Sequence, residues 1–208
     1  MSFAAVTVPN VKDLHPACDG EGLLLTGWAS TWDLDRAGDR VNPFALDKAV
    51  EQYMSTNPVL LWSHKYALPP IGRVLKARID RSRGLWIEAV MPRPRDGTFA
   101  AEVWQAAKAG IVKAFSLGAA WLRSHAKGYQ EIIGCDLREI SLCSIGVNGL
   151  TLADAITPTT AKCIDGLWLR DDFSSRWDAA VAAHRVRDLQ RDVGLAELEL
   201  EVAALLLA

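Results

Sequence analysis

At 208 residues, half of them apolar, the chain is long enough to bury one sizeable core, with room for an appended element. A formal net charge of -2 offers no electrostatic footprint for nucleic acid and no attraction to an anionic membrane surface. No run approaches the roughly 18 apolar residues of a membrane span, and the opening MSFAAVTVPNVKD lacks the basic-then-apolar pattern of a signal peptide, so the expectation is a soluble chain inside the cell.

Residues 1–20 are mixed and end on a turn signal, Cys18-Asp19-Gly20. GLLLTGWASTW reads as a strand, and DLDRAGDRVNPF as a loop. ALDKAVEQYMS is helical, with Ala45, Ala49 and Tyr53 on one face, and Asn57-Pro58 stops it. NPVLLWSH is a short buried strand. After the Pro69-Pro70 loop come the strands IGRVLKARID and LWIEAVMP, separated by a turn at Arg83-Gly84. Thr98 caps a helix, FAAEVWQAAKAG, that ends at Gly110. IVKAFSLGAAWLRSHA, GYQEIIGCD and LREISLCSIGV then read as three strands, with turns at Lys127-Gly128 and Cys135-Asp136. TLADAITPTTAKCIDGLWLRDDFSS is irregular and reads as a linker. From about Arg176 to Ala208 the chain turns helical again and ends strongly apolar.

The fold class expected is α+β: an antiparallel β-sheet or barrel of six or seven strands with inserted helices and a C-terminal helix. Residues 1–155 form the main domain, and 156–208 a linker and helix for packing, self-association or targeting. Trp28, Trp32, Trp62, Trp86 and Trp121 fall in strand-like segments and predict a core rich in aromatic surface. Cys18, Cys135, Cys143 and Cys163 show no paired zinc-ligand spacing and read as ordinary thiols.

Few residues offer chemistry. His64 ends an apolar strand beside a loop, where a side chain can meet substrate; a structural histidine fits there equally. His125 competes with it, but polar neighbours favour the surface, as they do for His15 and His184. Ser116, in AFSLG, puts a hydroxyl in an apolar strand, where it needs a partner or a task. Gly118 beside it allows close backbone approach by a peptide or by oxyanion donors. Glu139 opens EISLCSIG and could orient a histidine or face solvent at a turn. Asp33, Asp35 and Asp39 cluster in DLDRAGD without the spacing or closing glutamate of a calcium loop.

Four stretches, GWASTWDLDRAGDRVNPFAL, LLWSHKYALPPIGRV, AGIVKAFSLGAAW and LREISLCSIGVNGLTLADA, resemble in order the blocks of the prohead proteases of tailed phages, a family distantly similar to the herpesvirus assemblins. Together they span roughly residues 22–155. The resemblance implies a serine endopeptidase with Ser116 as nucleophile and His64 as base, and Glu139 where assemblins carry a second histidine. Assemblins place arginines just after that strand; Val147 and Asn148 stand there in this chain, which leaves backbone N–H groups as the default oxyanion donors. It further implies a reaction without cofactor or metal. The substrates would be the scaffold or N-terminal segment of the major capsid protein and the protease itself, cleaved in the host cytoplasm inside the assembling prohead. Since assemblins act as dimers, self-association is compatible with it; nucleic acid and membrane are not expected partners. Two other classes compete: a non-enzymatic capsid-assembly or scaffold protein of the same fold, and an unrelated β-barrel binding module.

Overall fold

A computed structural model describes residues 20–126 and 128–161 of the chain. Strand β1 (Gly20–Thr31) is followed by the short β2 (Asp39–Val41), helix α1 (Asp47–Ser55) and strands β3 (Val59–Trp62), β4 (Gly72–Asp80) and β5 (Gly84–Pro92). Helix α2 (Phe99–Lys108) precedes the long hairpin of β6 (Ala114–Ala126) and β7 (Tyr129–Cys143), and β8 (Ala153–Ala161) ends the described chain. The expected helix at about 176–208, the rest of the linker, and Cys18, Cys163, His15 and His184 lie outside these residues. No helix among the described residues is long and apolar enough to cross a membrane.

The fold is α+β, with eight strands in one mixed sheet that is not closed into a barrel. From β7 outward the strands run β7-β3-β4-β5-β1-β8, with β2 also on β7 and β6 along its opposite edge. Most pairs are antiparallel, but β2 and β3 both run parallel to β7, at Gln130–Ile132 and Ile140–Leu142 respectively. They act as one interrupted strand: the chain leaves the sheet after Val41, forms α1 against β7 and β4, and resumes its course as β3. That excursion is why the expectation of a purely antiparallel sheet fails. Between the outer strands β6 and β8, the described residues make only an isolated bridge, Ala114 with Leu152, so the sheet curls without closing.

Three turn, linker and loop readings give way to strand. Cys135-Asp136 is no turn: β7 runs unbroken from Tyr129 to Cys143. Its pairing with β6 slips twice, leaving Ile133 and Arg138 as extra residues on β7, so the local signal for irregularity marks bulges. Residues 153–161, read as linker, form β8 along β1, and Asp39–Val41, read as loop, form β2. Pro158 obscured β8, yet a proline is tolerated there because β8 lies at an edge of the sheet.

The core follows from alternation. Leu23, Leu25, Ile87, Ala89 and Met91 of β1 and β5 join Phe115, Leu137, Ile140 and Leu142 of the hairpin, Ala49, Val50 and Tyr53 of α1, and Val103, Trp104 and Ala107 of α2 in one buried cluster. Thr98 caps α2 as expected, its Oγ1 accepting the Ala101 N–H at 3.3 Å. The helix ends before Gly110, whose φ of 72° is the left-handed conformation glycine adopts freely. Trp28 and Trp86 stand directly opposite each other on β1 and β5, both buried, whereas Trp62 and Trp121 are only partly covered.

Gly27 marks the tightest crossing of β1 and β8. The β1–β8 register slips there, and a Cβ would collide with the Leu152 carbonyl oxygen and with the backbone of Ala153 and Asp154. Backbone cannot swing aside as a flexible side chain can, so Gly27→Ala is expected to cost about 1–3 kcal/mol, read as a lower urea midpoint with an unchanged m-value.

Candidate active site

The three sequence-predicted residues, Ser116, His64 and Glu139, come from three segments and meet in one line. His64 Nε2 lies 3.0 Å from Ser116 Oγ, and His64 Nδ1 lies 2.5 Å from Glu139 Oε1. Both distances are within hydrogen-bond range, so the imidazole bridges hydroxyl and carboxylate. With the proton of the neutral ring on Nδ1, held by Glu139, Nε2 is left to accept the Ser116 proton.

The β6–β7 ladder explains the placement. Ser116 pairs with Ser141, and Gly118 with Glu139, so these four share one face while Phe115, Ile140 and Leu142 fill the core behind. The bulge at Arg138 resets the alternation of β7 between Leu137 and Ile140 and turns Glu139 onto the site face. Beyond it, Glu139, Ser141 and Cys143 alternate with Ile140 and Leu142. β3 lies on the other edge of β7, with Trp62 opposite Leu142, and delivers the histidine by a two-residue step past its end.

That step is a left-handed turn. Ser63 and His64 have φ of 45° and 58°, a conformation that costs an L-residue about 1–2 kcal/mol. Hydrogen bonds hold it: Ser63 N–H donates to the Leu142 carbonyl at 3.0 Å and Lys65 N–H to the Trp62 carbonyl at 2.9 Å.

Glu139 is wholly buried, while the His64 side chain keeps 38% exposure. A buried carboxylate needs room and partners. Gly118 provides the room, since a Cβ there would run into Glu139 Oε1. Gly118 has a further role beside the close backbone approach expected of it: its missing side chain is the space the carboxylate occupies.

Hydrogen bonding by the Cys143 sulfur and then by the Glu139 carboxylate favours the imidazolium. These outweigh the opposing cost of burial, and the pKa of His64 is pushed up to about 10. Cys143 is a buried free thiol, and Cys135 is a partly buried one, whose pKa burial pushes up to about 11.

On the other side of Ser116 lies a cleft of about 190 Å³, bordered by Ser30, Thr31, Asp33, Asp35, Leu117, Val147 and Asn148 among others. The acidic loop and the segment after β7 are stitched together to form its wall. Arg36 donates to the Gly146 carbonyl at 2.8 Å, and Asn148 Nδ2 donates to Thr31 Oγ1 at 2.7 Å. The clustered aspartates have separate duties: Asp35 Oδ1 accepts the N–H groups of Ala37 and Asp39, and Asp39 pairs with Arg123 at 2.8 Å. His125, opposite Gln130 near the hairpin turn, is exposed. It stands nine residue steps along β6 from Ser116, on the order of 30 Å, so it takes no part.

Sequence alone marks Cys143 as an ordinary thiol and gives Ser141 no role, although EISLC carries the signal. Once Glu139 points into the site, strand alternation sends residues two and four further on to the same side.

Two outcomes are expected. Gly118→Ala should expel the Glu139 carboxylate from His64 and remove its part of the upward shift while that of Cys143 remains, so the His64 titration should move down toward the ordinary histidine range, followed by NMR of the ring protons. Because the His64 pKa is raised from 6.5 to about 10 on folding, its contribution to stability is complete below about pH 6.5 and is lost as pH climbs through about 10. The melting temperature of the wild type should therefore fall across that window more steeply than that of His64→Ala.

Compared with protein-family models and with curated proteins, the chain matches none.

Proposed function

We propose that this chain is a serine endopeptidase of the prohead-protease type, which trims the scaffold or N-terminal segment of a phage major capsid protein, and itself, during shell maturation. The observation that carries the reading is the line Ser116–His64–Glu139, with separations of 3.0 and 2.5 Å and an open cleft against the serine. A structural serine needs one hydrogen-bond partner. It needs neither an imidazole oriented by a buried carboxylate nor a cleft beside it.

In this reading the neutral fraction of His64, which grows as pH rises toward about 10, takes the Ser116 proton at Nε2 as Oγ attacks the scissile carbonyl carbon. Glu139 stabilises the imidazolium so formed. The tetrahedral adduct collapses as His64 passes the proton to the departing amine, leaving an ester on Ser116. Water, deprotonated by His64, then attacks that ester and releases the acid and the serine. For the oxyanion, the backbone of Gly146 and Val147 is the candidate: Val147 borders the cleft with Ser116, and these two N–H groups donate to no acceptor among the described residues. An extended substrate would lie along β6, which past Phe115 is bonded on one side only among the described residues, and would add a strand there.

The test is co-expression with the cognate major capsid protein, wild type beside Ser116→Ala, read by intact mass. The wild type should remove a defined capsid-protein segment. Ser116→Ala should lower the rate by about 10⁶-fold with an unchanged melting temperature. Full-length capsid protein inside well-formed shells in both samples would point instead to a non-enzymatic assembly protein.

A further inference from the structure

The Ser141 hydroxyl both accepts and donates a hydrogen bond within the site. Its oxygen accepts the backbone N–H of His64 at 2.9 Å, and its proton goes to Glu139 Oε2 at 2.7 Å. Glu139 Oε1 in turn takes the ring of the same histidine. The carboxylate therefore grips His64 at two ends, directly at the imidazole and through Ser141 at the main chain, and the three residues close a ring of hydrogen bonds. Ser141 is wholly buried, so no water stands ready to replace it.

The ring falls where the backbone is least relaxed. Ser63 and His64 are consecutive non-glycine residues with positive φ, and such a turn persists only where its surroundings over-determine it. Ser63 N–H is held by the Leu142 carbonyl, which belongs to the regular β3–β7 ladder. His64 N–H is held by a side chain alone.

We infer that Ser141 is a positioning residue: it fixes the left-handed turn that aims His64 Nε2 at Ser116, and it dedicates one oxygen of Glu139 to the imidazole ring. Without it, Glu139 Oε2 and His64 N–H lose their partner together, the carboxylate is free to rotate, and the turn is free to relax toward negative φ. Its consequence for turnover rests on the peptidase reading; the geometric effect on His64 does not.

Three measurements on the full chain test this. In the wild type, the His64 amide should exchange with solvent slowly and the His64 Nδ1 proton should give a resolved low-field resonance. Rapid exchange of that amide in the native protein would overturn the inference without any variant. In Ser141→Ala the low-field resonance should shift or broaden away. The kcat for peptide hydrolysis should drop by on the order of 10²-fold, the cost of misplacing a catalytic group by about 1 Å, with KM little changed, and Ser141→Thr should recover both signals. A folded Ser141→Ala protein that keeps its low-field resonance and its kcat would overturn the inference while leaving the peptidase reading intact. A wild type that shows the resonance, loses it in Ser141→Ala and hydrolyses no peptide would overturn the peptidase reading and leave the positioning role standing.

Discussion

The rest of the site depends on a carboxylate kept away from water. Glu139 has no exposed surface, and removing an ionised group from water is costly unless each oxygen is answered. Here one oxygen meets the His64 ring and the other the Ser141 hydroxyl. The remaining requirement is space, and it is met by the absence of a side chain at Gly118. A single buried charge thereby constrains three strands at once: the register of β6 on β7, the bulge at Arg138 that turns Glu139 inward, and the docking of β3 that carries His64.

How much of this was legible follows from the nature of each signal. Long apolar runs such as LLWSH and LWIEAVMP declare themselves as strands because burial on either face needs no partner information. Thr98 and Gly110 mark α2 through local backbone chemistry, and the structure keeps both ends. The failures share a cause. Cys135-Asp136 looks like a turn because local sequence cannot distinguish a chain that reverses from one that merely bulges; the neighbouring strand decides, and β6 holds β7 straight through. β2 and β8 are strands by virtue of their neighbours too. Asp39–Val41 is three residues supported by β7, and the Thr-Pro-Thr-Thr run of β8 becomes a strand because β1 offers it an edge.

The site shows the same division. Ser116, His64 and Glu139 were named from a pattern spread over the chain, and the fold brings all three within hydrogen-bonding distance. The parts played by their supporting residues are not legible in sequence, because they depend on cross-strand register. Gly118 is significant only opposite Glu139, and Ser141 only beneath the backbone of His64. The acidic loop misleads in the opposite direction: Asp33, Asp35 and Asp39 look like a cluster in sequence, yet Asp35 serves its own turn and Asp39 serves Arg123.

The sequence distances within the site have a consequence for folding. His64 stands 52 residues from Ser116 and 75 from Glu139, and β3, which presents it, is four residues long and supported mainly by β7. A nascent chain carrying the first half of the protein holds the imidazole but neither of its partners. Even the finished β6–β7 hairpin lacks the imidazole until the interrupted strand of β2 and β3 settles along its edge. Long-range pairings of this kind form late, after the entropy of closing large loops has been met. The line of serine, imidazole and carboxylate is therefore a property of the completed sheet, and a partly folded copy of the chain lacks it.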